Sequence, residues 1–331
     1  MGGEFSIYEG LAFLAIVVVS LYADLKAHSD DKPVSMKDAV LWSAIWIVLG
    51  LSFAVYVAAS HGMEDASLYL AGYLLEKSLS VDNLFVIMAI FASFRIADEY
   101  QHRVLYYGIL GAIVLRFVFI LAGATLIELG GDIVLAIFGL FVLWSAWKMW
   151  QVSRTPQEHA VDYTKHTVVK WASKFFPVYP HVENHNFFVR KAGTASASSP
   201  ASSQQNLKLY ITPLFLCLIM VEIADVAFAF DSVPAIFAIT KKPFLVYTSN
   251  IFAILGLRSL YFLLAAAKRS LVYLEKAVIV VLVFIGVKMI LEIFESVHVS
   301  PLVSLGIVSG VLGVGVVASL FSSATSERSR L

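Results

Sequence analysis

Residues 11–23 read LAFLAIVVVSLYA, with no charge and no break, and apolar side chains point to every side of any helix drawn through them. The strand of an outer-membrane barrel would alternate apolar and polar residues over about ten positions. This stretch does not alternate, so it reads as a helix bathed in hydrocarbon. Working outward, nine such stretches recur, at roughly 7–24, 40–59, 67–92, 104–127, 133–150, 209–239, 245–267, 274–294 and 301–321. Each approaches the ~20 residues that a helix needs to cross a bilayer. The composition agrees. Of 331 residues, 59% are hydrophobic and 15% charged, with a mean hydropathy of +0.81. Soluble domains carry about 25% charged residues, so a water-soluble enzyme is excluded. The chain is too apolar for disorder. The expected class is an all-α polytopic membrane protein.

Lys plus Arg equals Asp plus Glu at 24 each, so no global basic surface points to nucleic acid. A single cysteine, Cys217, excludes an internal disulfide and a cysteine-based metal cluster. It reads as a packing residue. Glu4 and Glu9 stand where a signal peptide would be basic, so the first span is expected to be retained.

Loop charge predicts orientation. The connections holding Arg95 and Arg103, then Lys165, Lys170, Lys174, Arg190 and Lys191, then Lys268, Arg269 and Lys276, are basic, and the tail adds Arg328 and Arg330. The alternate connections near 60–66, 128–132 and 295–300 contain no Lys or Arg. The pattern predicts an outside N-terminus and a cytoplasmic C-terminus, with Lys241 and Lys242 as exceptions. The expected location is a bacterial inner membrane.

Residues 151–208 form the long polar connection. Val168, Val169, Trp171, Phe175 and Phe176 predict a short surface helix at the membrane face. The Ser/Ala-rich 193–206 reads as a flexible linker. His166, His181 and His185 lie nearby without tight ligand spacing and read as surface histidines.

The chain contains an internal repeat. EKSLSVDNLFVIMAIF (76–91) and DVAFAFDSVPAIFAIT (225–240) both open on a carboxylate and place an Asp six residues later: Glu76 and Asp82, then Asp225 and Asp231. Ile109-Leu110-Gly111 returns as Ile254-Leu255-Gly256, each followed by a lone arginine, Arg116 and Arg258. Lys148-Met149 returns as Lys288-Met289. On the orientation above, the two halves run oppositely, as in transporters built from inverted three-helix repeats. The organisation expected is a two-helix region (1–64), a first repeat (65–150), a cytoplasmic loop (151–208), a second repeat (209–294), and a last helix with its tail (295–331).

Glu76, Asp82, Arg116, Glu222, Asp225, Asp231 and Arg258 fall near span centres. Each costs at least about 2.5 kcal/mol there if unpaired. They must face one another, an ion or water. Glu222 and Asp225, at i and i+3, share a helix face. Asp225 and Asp231 lie on different faces of a straight helix, though Pro234 removes a hydrogen bond to the Phe230 carbonyl and favours a kink. The candidate metal ligands are Glu76, Asp82, Glu222, Asp225 and Asp231, with Asn83, Ser80 and Ser232 nearby. An all-oxygen set suits hard cations such as Mn²⁺, Mg²⁺ or Ca²⁺. The bland alternative pairs the five acids with Lys77, Arg116, Lys148, Arg258 and Lys288 in a neutral bundle. The three lysines could instead snorkel to an interface.

GYLLEKSLSVDNLFVI (72–87), EIADVAFAFDSVPAIFAIT (222–240) and TSNIFAILGLRSLYFLL (248–264) closely resemble the TerC family of integral membrane proteins. The resemblance covers about 1–192 and 208–321. It implies divalent-metal export, Mn²⁺ foremost, and carries the acidic positions onto Glu76, Asp82, Glu222, Asp225 and Asp231, with Asp24 as a further family position or an interfacial acid. The expected mechanism is alternating access, coupled to protons held by the same carboxylates. No prosthetic group and no enzyme activity are expected. The partners expected are the metal ion, protons, the lipid bilayer, and a protein partner or second copy. The alternatives are an assembly or metallation partner for exported proteins, a tellurite-resistance factor without direct transport, an intramembrane aspartic protease using Asp82 and Asp231, and an oxyanion carrier using Arg116 and Arg258.

Overall fold

The computed structural model describes residues 5–27, 36–154, 163–179, 181–182, 185–192, 207–266, 273–293 and 299–328. The side chains of Asp82 and Asp231 lie outside the described set, as do the linker at 193–206 and the basic residues Lys268 and Arg269. Among the described residues, ten α-helices follow in order: α1 (Ile7–Ala27), α2 (Met36–His61), α3 (Met63–Phe94), α4 (Asp98–Arg154), α5 (Thr167–Phe175), α6 (Pro213–Phe237), α7 (Pro243–Ile254), α8 (Leu257–Ala266), α9 (Leu274–Ile293) and α10 (Pro301–Arg328). Among the described residues, α1, α2, α4, α6 and α10 are long and apolar enough to cross a membrane, and α7 with α8 adds a sixth as a pair bent by 40°. A predominantly helical membrane protein is therefore what the chain builds.

Several details differ from expectation. The spans anticipated at 104–127 and 133–150 both lie on α4, interrupted at Gly131, whose φ of 49° and ψ of −131° are not helical. The span anticipated from 209 begins instead at Pro213, which occupies the first helical turn where a missing N–H costs nothing. The residues just before it form a strand, β2 (Leu207–Ile211), paired antiparallel with β1 (Phe188–Ala192). The span at 245–267 is broken. Leu255 leaves helical geometry (ψ 128°) and Gly256 takes φ 82°, a conformation that glycine adopts at little cost. Gly256 also lies flush against the Trp46 indole, where a Cβ would collide. Pro234 does not break α6 at Asp231. It sits in the last turn, three residues before the helix ends at Phe237.

The core forms where α3, α4, α6, α7 and α9 pack together. The close crossing of α4 and α9 rests on Gly139 and Gly286, each facing the other's carbonyl. Aromatic rings tie α1 and α2 to α7, with Phe13 5.5 Å and Phe53 4.8 Å from Phe252 between ring centroids. The charge that breaks the loop pattern at Lys242 is compensated: its Nζ lies 2.7 and 2.8 Å from the two carboxylate oxygens of Asp65.

The expected surface helix is α5. His166 caps it by accepting from the Val168 N–H. Beyond it, the Val178 segment joins the hairpin through Tyr179 N to Ile211 O at 2.8 Å and Ile211 N to Pro177 O at 3.0 Å.

Candidate functional site

Four helices bring polar groups to one buried point. Glu76 on α3 is fully buried, and its Oε1 accepts from Arg116 Nη1 of α4. The same Nη1 faces Asn250 Oδ1 of α7 at 2.9 Å and Ser232 Oγ of α6 at 3.3 Å. Arg116 Nη2 reaches Asp225 Oδ1 of α6 at 3.4 Å. The guanidinium is 1% exposed, so its charge is sheltered from water and must be met by these partners. Arginine suits the position because its planar fork serves several acceptors at once.

Glu222, one turn before Asp225, is half-buried and packs its carboxylate directly against Gly111 of α4. Only a residue without a Cβ leaves room for it there. The acids are not saturated: Glu76 Oε2, Glu222 Oε2 and Asp225 Oδ2 are buried and have no hydrogen-bond partner. Ser80 Oγ and Asn250 Nδ2 are in the same condition. Unsatisfied buried groups of this kind call for an explanation. Asn83 is half-buried on α3. Among the described residues, no three His, Cys, Asp or Glu side chains stand close enough together to hold a metal ion. Asp82 and Asp231 fall outside that statement, and with them the aspartate pair that a protease would use.

The second arginine belongs to a different group. Arg258 on α8 is buried against Asp24 of α1, with Nη2 to Oδ2 at 2.9 Å and a further bond to the Asp24 carbonyl. The two arginines therefore do not share a site. Lys77 does not snorkel: its Nζ lies 3.0 Å from the Ala253 carbonyl and 3.4 Å from that of Leu255, groups released where α7 breaks. Lys148 rests 5.3 Å from the Trp144 ring, and Lys288 is buried on α9. Cys217 is buried, as a packing residue would be.

The reading from sequence missed Asn250. It lies in Thr248-Ser249-Asn250, the polar interruption of an otherwise apolar segment, and that interruption was its signal.

The sequence profile of the integral membrane protein TerC family matches residues 61–327. The chain belongs to the TerC family. It is 45% identical over 322 residues to the tellurium resistance protein TerC of Serratia marcescens, covering 94% of this chain and 92% of that protein. It is 44% identical to the TerC protein of an Alcaligenes species, over 93% of this chain and 92% of that one. Alx of Salmonella typhi, named as a candidate membrane-bound redox modulator, is 40% identical over 94% of this chain and 92% of its own length. No solved structure matches the chain. The three TerC-like motifs at 72–87, 222–240 and 248–264 fall within the matched region, and so do Glu76, Arg116, Glu222, Asp225 and Asn250.

Proposed function

We propose that this TerC-family protein is a divalent-cation exporter of a bacterial inner membrane, with Mn²⁺ as its cargo and Ca²⁺ or Mg²⁺ as competitors. The observation that carries this reading is the charge balance among α3, α4 and α6. Two carboxylates, Glu76 and Asp225, meet one guanidinium, Arg116, with Glu222 one turn before Asp225 on α6, and each of the three acids retains a buried oxygen without a partner. With all of them ionised, these groups carry a net negative charge, which a bound cation would offset. Oxygen-only groups favour hard cations. Asp82 and Asp231 would complete the ligand set, each six residues, about 1.7 turns, beyond Glu76 and Asp225 on the same helices, with Ser80, Asn83 and Ser232 beside them.

Transport by alternating access would use the two repeats. In support, α3 packs on α7 as α4 packs on α6, the reciprocal pairing that a pseudo-two-fold axis produces. The nine-span topology draws support from α4: its 57 residues would extend about 85 Å as one helix, and hydrocarbon is about 30 Å thick. Two crossings that turn at Gly131 satisfy both lengths. Export against an inside-negative potential costs about 2.3 kcal/mol per charge per 100 mV, so a divalent cargo needs coupling. Proton antiport fits, because the same carboxylates hold either protons or metal.

The test is Mn²⁺ flux in proteoliposomes, comparing the native chain with Asp225→Asn and Asp231→Asn under an imposed pH gradient. Loss of flux in folded variants is expected. Absence of flux in the folded native protein overturns the reading. A second reading, an assembly or metallation partner for exported proteins, is favoured by Arg116, which already engages Glu76 and Asp225 and could close the network without an ion. Under that reading a folded Asp225→Asn variant keeps its cellular phenotype.

A further inference from the structure

We propose that α5 and the β1–β2 hairpin form a docking surface for the anionic phospholipid headgroups of the adjoining leaflet. On α5, Val169 is buried toward the N-terminal part of α6, among Ile211, Leu214 and Leu216. That contact holds the helix within reach of the point where α6 starts at Pro213. Trp171 and Phe175, one turn apart, are left 63% and 69% exposed, with their rings 6.0 Å from each other. Exposure of two large aromatic rings on a helix beside a membrane segment suits burial at the headgroup level.

The charge on the same module selects the lipid. Lys170 and Lys174 follow the same i, i+4 spacing on the neighbouring face of α5, and both are exposed. Arg190 and Lys208 on the hairpin are exposed as well. Lys191 and Lys208 stand directly opposite each other across the strands, an arrangement of like charges that is unfavourable in isolation. The sequence from 163 to 212 holds six Lys or Arg against a single acid, Glu183. Each lysine or arginine near an anionic surface is worth about 1 kcal/mol, so the module favours phosphatidylglycerol over zwitterionic lipid. The packing of α5 on α6 places this lipid-sensitive surface on the helix that carries Glu222 and Asp225.

The experiment uses the full chain in nanodiscs. Cys217→Ser removes the native thiol, and Phe175→Cys carries an environment-sensitive fluorophore. In discs containing phosphatidylglycerol the emission shifts to the blue and is quenched by lipids labelled high in the acyl chain. In pure phosphatidylcholine the shift is absent. Combining Lys170→Gln, Lys174→Gln, Arg190→Gln and Lys208→Gln lowers the buried fraction at least about tenfold, as does high salt, while thermal unfolding stays unchanged because these side chains are exposed. Equal emission in both lipids overturns the proposal. So does a shift that appears only with two protein copies per disc, which would make the surface a dimer contact, or one that requires an added nucleic acid or acidic protein. Because the readout is independent of ion flux, its outcome stands apart from that of the transport assay.

Discussion

Arg116 is the residue on which the charged centre depends. It is the counter-ion to fully buried Glu76 and also reaches Asp225, Ser232 and Asn250. Removing one member of a buried pair leaves an uncompensated charge, which costs roughly 3–5 kcal/mol. Arg116→Ala is therefore expected to lower thermal stability by that order, and Arg116→Lys to recover it only in part, because an ammonium lacks the planar fork. A double variant, Arg116→Met with Glu76→Gln, should regain more stability than the single arginine change, since it removes both charges together. A thermal-unfolding series in detergent checks all three. Gly111 is the other sensitive position. A Cβ there would meet the Glu222 carboxylate, so Gly111→Ala should displace that acid and reduce ion flux, with folding preserved as judged by size-exclusion chromatography. If flux is unaffected, Glu222 is not held where the site needs it.

At the scale of elements, the break between α7 and α8 is the feature that a hydropathy profile cannot resolve. It is made by Leu255 and Gly256 and held by Lys77, which bonds the carbonyls of Ala253 and Leu255. An L-residue at φ 82° costs about 1–2 kcal/mol, and a Cβ at Gly256 would also strike Trp46. Gly256→Ala should therefore destabilise by more than that backbone cost alone. Gly306→Ala on α10, where a Cβ meets nothing within 4 Å, should not lower the midpoint, since alanine suits a helix interior better than glycine. Equal midpoints for the two variants would refute the assignment of the break to Gly256. The strand β2 is a second element that the sequence did not announce. Leu207–Ile211 is apolar enough to read as the start of a span, and only its partner β1 makes it a strand. Strand propensity depends on such context.

For the whole molecule, α1 poses a distinct problem. Only a minor part of its surface is buried, yet it is fastened at both ends. At one end Glu9 accepts from Tyr56 at 2.7 Å and contacts His61 at 2.7 Å. At the other, Asp24 pairs with Arg258. Helices with few buried contacts open locally at low free energy unless they are tied down. The double variant Glu9→Gln/Asp24→Asn should therefore speed amide exchange across α1 and leave α3, α4 and α9 protected. Uniform acceleration throughout the chain would mean that α1 is integral to the global fold instead.

The sequence by itself determined the class of protein, the membrane-crossing segments in outline, the surface helix, and most of the charged centre: Glu76, Arg116, Glu222 and Asp225 are legible because an ion in hydrocarbon is too costly to be incidental. That signal is one-dimensional and survives without a fold. The partners of those charges were not legible. Arg116 and Arg258 look equivalent in the repeat, yet one meets Glu76 and Asp225 while the other meets Asp24 from the first helix. Lys77 looks like an interfacial lysine and instead caps carbonyls 176 and 178 positions away. Asn250 gains its place only from the close approach of α7 to α4. Cost is a property of a residue and its solvent, so the sequence carries it. Pairing depends on which helices touch and at what height, and only the tertiary packing decides that.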